Sequence, residues 1–181
     1  GGEPSLPFQL LKKAVKRTVE LNQEHRKQIT YVLCTNSINL TEEILHLCKE
    51  YNILISTSLD GPAFIHNHNR GKTDSYNRVI EGINKVRNYL GADKVSALMT
   101  TSELSINHPK EIVDNYILNG FNNIFLRPLN PYGLALNSTN WNIYFDKFFE
   151  FYKQALNYII DINQLFFWKR IYNTAYTSYK I

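Results

Sequence analysis

Regular alternation of helical and strand-like segments predicts an α/β chain, with a parallel sheet and helices on its outer face. Three observations carry this. Apolar residues recur every three to four positions in several long segments. Short β-branched runs separate those segments. Capping residues, glycine and proline mark most of the changeovers.

Residues 5–24 read as a helix, with Leu6, Leu10, Leu11, Ala14, Val15, Thr18, Val19 and Leu21 on one stripe and Pro7 tolerable in the first turn. Residues 29–35 are short and rich in β-formers, hence a strand. Thr41 is the expected N-cap of a helix that buries Ile44, Leu45 and Cys48 and runs to Tyr51. Residues 53–59 form the next strand, which Asp60-Gly61-Pro62 breaks. A polar loop is expected to about Thr73, then a helix carrying Tyr76, Val79, Ile80, Ile83, Val86 and Leu90, closed by Gly91. Residues 95–100 read as a strand. His108-Pro109 opens a helix that stops near Gly120, and residues 124–126 make a fourth short strand. A long amphipathic helix covers 141–162, its aromatic stripe of Trp141, Phe145, Phe148 and Tyr152 expected in the core. This order implies right-handed crossovers and an incomplete parallel sheet.

Composition narrows the function classes. The chain has 181 residues, 44% hydrophobic and 20% charged, which suits a globular domain. A formal charge of +4 is too small to argue for nucleic acid. No apolar run reaches the ~18 to 20 residues of a membrane span. The opening Gly1-Gly2-Glu3-Pro4 has neither a starting Met nor a signal-peptide pattern, so a fragment and a cytoplasmic location are expected. The two cysteines, Cys34 and Cys48, are expected as buried thiols. His66 and His68 have metal-like spacing, but no carboxylate or cysteine completes a site, and they read as solvated loop histidines.

In parallel α/β folds ligands lie at the carboxyl ends of the strands. The residues there are Gly1 to Pro4, Thr35-Asn36, Ser58-Leu59-Asp60-Gly61-Pro62, Arg70 and Leu129-Asn130-Pro131. Two glycines allow close backbone approach to a ligand, and their carbonyls accept from an ammonium group. Glu3 adds negative charge, Arg70 a planar fork for a carboxylate, and Ser58 a hydroxyl suited to a ribose or carboxylate. Plain structural roles fit the same residues: a turn at Gly1 to Pro4, a strand end at Ser58 and Asp60, an ion pair for Arg70.

Taken in order, these segments resemble the radical S-adenosylmethionine (radical SAM) enzymes, in particular the peptide- and sulfatase-modifying maturases. The match rests on Gly-Gly-Glu-Pro, Ser-Leu-Asp-Gly-Pro and the His66-x-x-x-Arg70 stretch. Val95 to Thr101 and Phe125 to Gly133 look like the His-Xaa-Ser system maturases. The resemblance implies an incomplete parallel (β/α) barrel over residues 1–163, followed by a basic aromatic tail at 164–181. It implies S-adenosylmethionine as cofactor. Gly2 and Glu3 would then serve the methionyl amino group, with Gly1 and Pro4 in the same cofactor-binding motif, and Ser58 and Arg70 the ribose and carboxylate. Asn36 and Asp60 belong to the same strand-end set, and the Leu129–Pro131 backbone would lie near the adenine. In the intact family a 4Fe-4S cluster splits the cofactor, and the resulting 5′-deoxyadenosyl radical takes a hydrogen atom from a peptide substrate.

That cluster is held by three cysteines spaced C-x3-C-x2-C on a loop preceding Gly-Gly-Glu-Pro, and the loop is not in this sequence. The expectation is therefore no cluster, no metal ligand and no catalytic residue in this chain, which alone would be inactive. The alternative is a cluster-free binding module or degenerate gene product on the same fold, self-associating through the sheet edge at residues 29–35. An aldolase-type barrel is a third reading, weakened because no strand-end lysine suits a Schiff base.

Overall fold

The helices and strands form where side-chain patterning and caps require them. In the computed structural model, residues 2–132, 140–165 and 172–173 are described. Helix α1 (Phe8–His25) leads into strand β1 (Val32–Thr35), helix α2 (Glu42–Glu50) and strand β2 (Leu54–Ser58). Helices α3 (Ala63–Arg70) and α4 (Ser75–Leu90) precede strand β3 (Val95–Leu98). Helix α5 (Pro109–Leu118), strand β4 (Asn123–Ile124), helix α6 (Trp141–Leu165) and strand β5 (Tyr172–Asn173) follow.

The strands β1, β2 and β3 lie in that order in a three-stranded parallel sheet that is not closed into a barrel, as an incomplete (β/α) barrel requires. Leu33 pairs with Ile55 and Thr35 with Thr57. These four side chains are buried, so one face of the sheet carries the core. Residues 124–126 were expected as a fourth strand of this sheet. Instead β4 pairs with β5 in a separate parallel ladder, Asn123 opposite Tyr172.

The chain divides into two compact units, Gly1–Ser58 with Asn77–Ser96 and Leu59–Tyr76 with Ala97–Ile181. The first buries Leu33, Ile44, Leu45, Ile55, Val79 and Val86; the second buries Leu59, Ile65, Met99, Ile112, Tyr116 and Phe151. Each aliphatic side chain so buried contributes roughly 1.5–3 kcal/mol. Thr41 caps α2 as expected, its hydroxyl accepting from the Ile44 N–H at 3.3 Å. Cys48 is buried on α2, and burial pushes its thiol pKa up to about 11.

Several expectations are corrected. Cys34 is exposed, because β1 turns only Leu33 and Thr35 inward and Cys34 shares the open face with Val32. Of the α1 stripe only Val15 is buried, while Leu6, Leu10 and Leu21 are exposed. The polar loop before Thr73 contains helix α3, entered through extended Pro62 and ended by Gly71 at φ 65°. Its Asn- and His-rich sequence hides the helix because these are weak helix formers. The buried stripe of α6 is Tyr144, Phe148, Phe151, Ala155 and Ile159, so Phe148 is shared with the expected stripe and Phe145 is exposed.

Gly82 of α4 sets the shape of the turn after β1. A Cβ built there would collide with the Ser37 carbonyl oxygen, a backbone atom that has no rotamer to escape into. Gly82→Ala should therefore destabilise the protein by about 2–3 kcal/mol in chemical denaturation, although alanine is the better helix former.

Candidate functional site

The predicted residues fall into two local networks, one in each unit. In the first, the Glu3 carboxylate holds the turn that follows β1. Its Oε1 accepts from the Thr35 hydroxyl at 2.6 Å, the Ser5 hydroxyl at 2.7 Å and the Ser5 N–H at 3.1 Å. Its Oε2 accepts from the Asn36 N–H at 2.8 Å. Partial burial works to raise the Glu3 pKa. The bonds from the Asn36 N–H, Thr35, and the Ser5 hydroxyl and N–H outweigh it, and the net shift is downward. The turn is further tied by Asn36 Oδ1, which accepts from the Ile38 N–H at 2.9 Å. Ser37 sits there at φ 57°. Gly2 is exposed and Pro4 half-buried, while Gly1 lies outside the described residues. Ser58 ends β2, half-buried, on the same side of that strand as Ser56, the partner of Cys34.

The second network is built around Asp60, whose side chain is only 1% exposed. The end of β2 and the start of α3 put its carboxylate opposite Arg70, on the last turn of that helix. Arg70 Nε donates to Oδ2 at 2.7 Å and Nη2 to Oδ1 at 2.8 Å, a bidentate fork. Oδ1 also accepts from the Thr100 N–H at 3.1 Å. Gly61 permits the sharp exit from this position at φ 127°, with a built Cβ only 2.8 Å from Ile112 Cγ1. Asp60 and Arg70 thus come together, and Arg70 pairs with a buried acid while its side chain stays 34% exposed.

His66 is not a solvated loop histidine. Its side chain is 2% exposed, because α3 turns it into the same interior as Asp60. Its Nδ1 accepts from the Asp60 N–H at 3.2 Å, and Nε2 lies 3.3 Å from the Ser75 hydroxyl. An amide N–H can only donate, so Nδ1 carries no proton and the neutral ring donates through Nε2. The 4.0 Å separation of Nδ1 from Asp60 Oδ2 is therefore a juxtaposition, not an ion pair. Burial lowers the His66 pKa to about 4; the Asp60 charge opposes this and the Arg70 charge adds to it.

The network continues toward Leu129. Arg127 Nη2 donates to the Thr100 hydroxyl at 2.8 Å. The Thr101 N–H donates to the Arg127 carbonyl at 2.9 Å, and Thr101 bridges Pro128 in parallel fashion. The Tyr144 hydroxyl donates to the Thr101 carbonyl and accepts from the Leu129 N–H, both at 2.6 Å. Arg127 Nε and Thr101 Oγ1 are buried without a hydrogen-bond partner among the described residues. Asp60, Arg70 and Leu129 are thus joined through Thr100 and Thr101. Sequence reading missed His66, Ser75, Thr100 and Tyr144; only the helical phase of α6 carried a hint of the last.

The residues present do not fit an iron–sulfur cluster. The chain has two cysteines, one on β1 and one buried on α2 with its thiolate disfavoured. Among the described residues no group of three or more His, Cys, Asp or Glu side chains could hold a metal ion.

Two outcomes follow from the Asp60 network. Unfolded His66 binds a proton near the ordinary imidazole value of 6.5 and the folded ring only near 4, so its stabilising share is complete above pH 6.5. As pH falls from 6.5 through 4, pH-dependent denaturation should show a loss of about 3 kcal/mol, which His66→Asn abolishes. Arg70→Ala strands a buried carboxylate and should cost about 3 kcal/mol at pH 7 by the same measurement.

Comparison with known proteins agrees with this architecture. An uncharacterized protein of Methanothermobacter thermautotrophicus is 30% identical over 164 residues, covering 89% of this chain and 58% of its own length. Native anSMEcpe with bound AdoMet superposes with a TM-score of 0.77 at 19% identity, over 98% of this chain and 49% of that one. The complex of anSMEcpe with AdoMet and the Kp18Cys peptide gives 0.73 at 18% identity, with the same coverage. The chain thus spans about half the length of these structures, and at such identity the likeness is one of fold. The radical SAM superfamily model matches residues 1–126, more than half of the chain, and the chain accordingly belongs to the radical SAM superfamily.

Proposed function

We propose that this chain is the cofactor-facing part of a radical SAM peptide maturase of the His-Xaa-Ser system or sulfatase-modifying type. The intact cytoplasmic enzyme uses a 4Fe-4S cluster, S-adenosylmethionine and a peptide substrate. This chain alone holds no cluster and is inactive. In this reading residues 1–163 belong to the barrel part, and 164–181, most of which lie outside the described residues, are the basic aromatic segment that follows it. S-adenosylmethionine, when bound, supplies the reactive 5′-carbon; the residues of this chain bind and orient it.

One observation carries the reading: Arg70 is fixed in a bidentate pair with buried Asp60 and remains partly exposed. Such a guanidinium is preorganised for a second carboxylate. In this reading Arg70 and Ser58 meet the carboxylate and ribose, with Asp60 orienting Arg70. The turn that Glu3 holds, with Gly1, Gly2, Pro4 and Asn36, receives the ammonium group, and the Leu129 backbone faces the adenine. Among the described residues Arg127 Nε and Thr101 Oγ1 have no hydrogen-bond partner, which supports a polar ligand beside that network. The anSMEcpe structures carry AdoMet, one of them with a peptide, which supports the choice of ligands. Among the described residues no helix is long and apolar enough to cross a membrane.

A second reading, an interaction module, draws on the open edge of β1. Val32 is 52% exposed there, and Leu6 and Leu10 on α1 are exposed as well. Pairing of two copies along β1 should give a dimer in sedimentation equilibrium that a Val32→Lys substitution dissolves. A monomer at all concentrations refutes it.

Calorimetric titration with S-adenosylhomocysteine tests the first reading. The chain should bind it, with affinity reduced about tenfold by Arg70→Ala and severalfold by Ser58→Ala. Absence of binding, or variants that bind like the parent, would refute the assignment.

A further inference from the structure

Within the first compact unit, α1, α2 and the last turn of α4 enclose a groove of about 330 Å³. Helical phase builds its α2 wall. Glu43, His46, Leu47 and Glu50 recur at the three- and four-residue intervals that share one helix face. Leu47 is 3% exposed and supplies the apolar floor, while Glu43 and Glu50 are exposed above it. The rings of Phe8 on α1 and Tyr89 on α4 line the groove as well.

Two properties of this lining point to a cationic guest. The first is charge. Glu42, Glu43 and Glu50 face Lys12 across the groove, an acidic lining in a chain whose formal charge is +4. The field reaches Tyr51, whose hydroxyl pKa is raised by its hydrogen bond to Glu50, by desolvation and by the Glu50 and Glu20 charges. The second is that both rings already carry a cation. Lys12 Nζ lies 6.0 Å from the Phe8 centroid, and Lys49 Nζ lies 5.4 Å from that of Tyr89. An ammonium is strongly hydrated and leaves such a face readily, whereas a guanidinium is planar, weakly hydrated and stacks. An arginine from outside therefore displaces Lys49 from Tyr89 and meets the glutamates at the same time. Partners that present phosphate, nucleic acid and anionic lipid alike, are repelled here. The Leu47 floor rewards an apolar neighbour of the arginine, which a bare polyamine lacks.

We propose that this groove docks a basic peptide segment, an arginine of which lies between the Tyr89 ring and the glutamates of α2 while a neighbouring apolar side chain covers Leu47. The inference is independent of the cofactor-facing reading, because the lining shares no residue with the two strand-end networks.

Fluorescence anisotropy tests it, with the full chain and the amidated peptide Leu-Arg-Ala-Leu-Arg carrying a neutral dye. A groove with room for so few side chains should bind it with a Kd on the order of 100 µM. Citrulline in place of both arginines keeps the shape, removes the charge and should weaken binding about tenfold. Glu43→Gln combined with Glu50→Gln should weaken it about tenfold, and Tyr89→Ala about threefold. Glu103→Gln alters an exposed acid of the other unit and should bind like the parent. Amide NMR shifts caused by the peptide should cluster on α2 and around Tyr89, a readout that needs no variant. Spermidine should compete only weakly. Equal binding of the citrulline peptide, parental affinity in the glutamate pair, shifts confined to other elements, spermidine binding as tight as the peptide, or no binding at all overturns the proposal. None of these outcomes bears on S-adenosylhomocysteine binding, which tests the cofactor-facing reading by itself.

Discussion

A carboxylate removed from water must be surrounded by donors, and Asp60 is such a carboxylate. Its burial dictates what the neighbouring elements can be. The bidentate contact requires an arginine rather than a lysine on the last turn of α3. The Thr100 amide must arrive at the end of β3. The Asp60 amide needs an acceptor of its own, which His66 provides only as the tautomer protonated at Nε2. Each partner is held by a further group: His66 by Ser75, Thr100 by Arg127. A half-satisfied arrangement of this kind would be worse than an apolar core. The short helix α3, weak by composition, is stabilised by this network and by the burial of Ile65.

Glu3 plays a comparable part on a smaller scale. It is less buried, and its four donors come from neighbours in the chain and from the turn after β1. Gly82 lets α4 approach that turn closely enough to back it. The result is a strand-end loop shaped from both sides. Both networks place charged groups at the carboxyl ends of parallel strands, where this type of fold collects its ligands.

Much of this was legible in the sequence where the signal is local. The Thr41 cap, the Gly91 stop and the strand breaker at Asp60-Gly61-Pro62 depend on neighbours in the chain, and they stand as read. The ordered strand-end motifs identified the superfamily. What escaped depends on partners far along the chain. Nothing near His66 announces that the Asp60 amide will need an acceptor, so a polar surrounding sequence read as a solvated loop. Cys34 lies in an apolar strand, and its exposure follows from which face of β1 is covered. Tyr144 differs from its aromatic neighbours only in helical phase, and one residue of phase separates a hydroxyl buried in a ladder from one in water.

The contacts made by Glu3 and Tyr144 fall largely on main-chain atoms. Glu3 grips the amides of Ser5 and Asn36, and Tyr144 the amide of Leu129 and the carbonyl of Thr101. Every residue except proline carries an amide hydrogen, so the Tyr144 contact does not depend on the Leu129 side chain, whereas Asn36 also ties its own turn through Oδ1. The identity at position 129 can drift over evolutionary time while the scaffold stays put. Related chains could thereby acquire different preferences for the molecules they process without rebuilding the sheet that supports them.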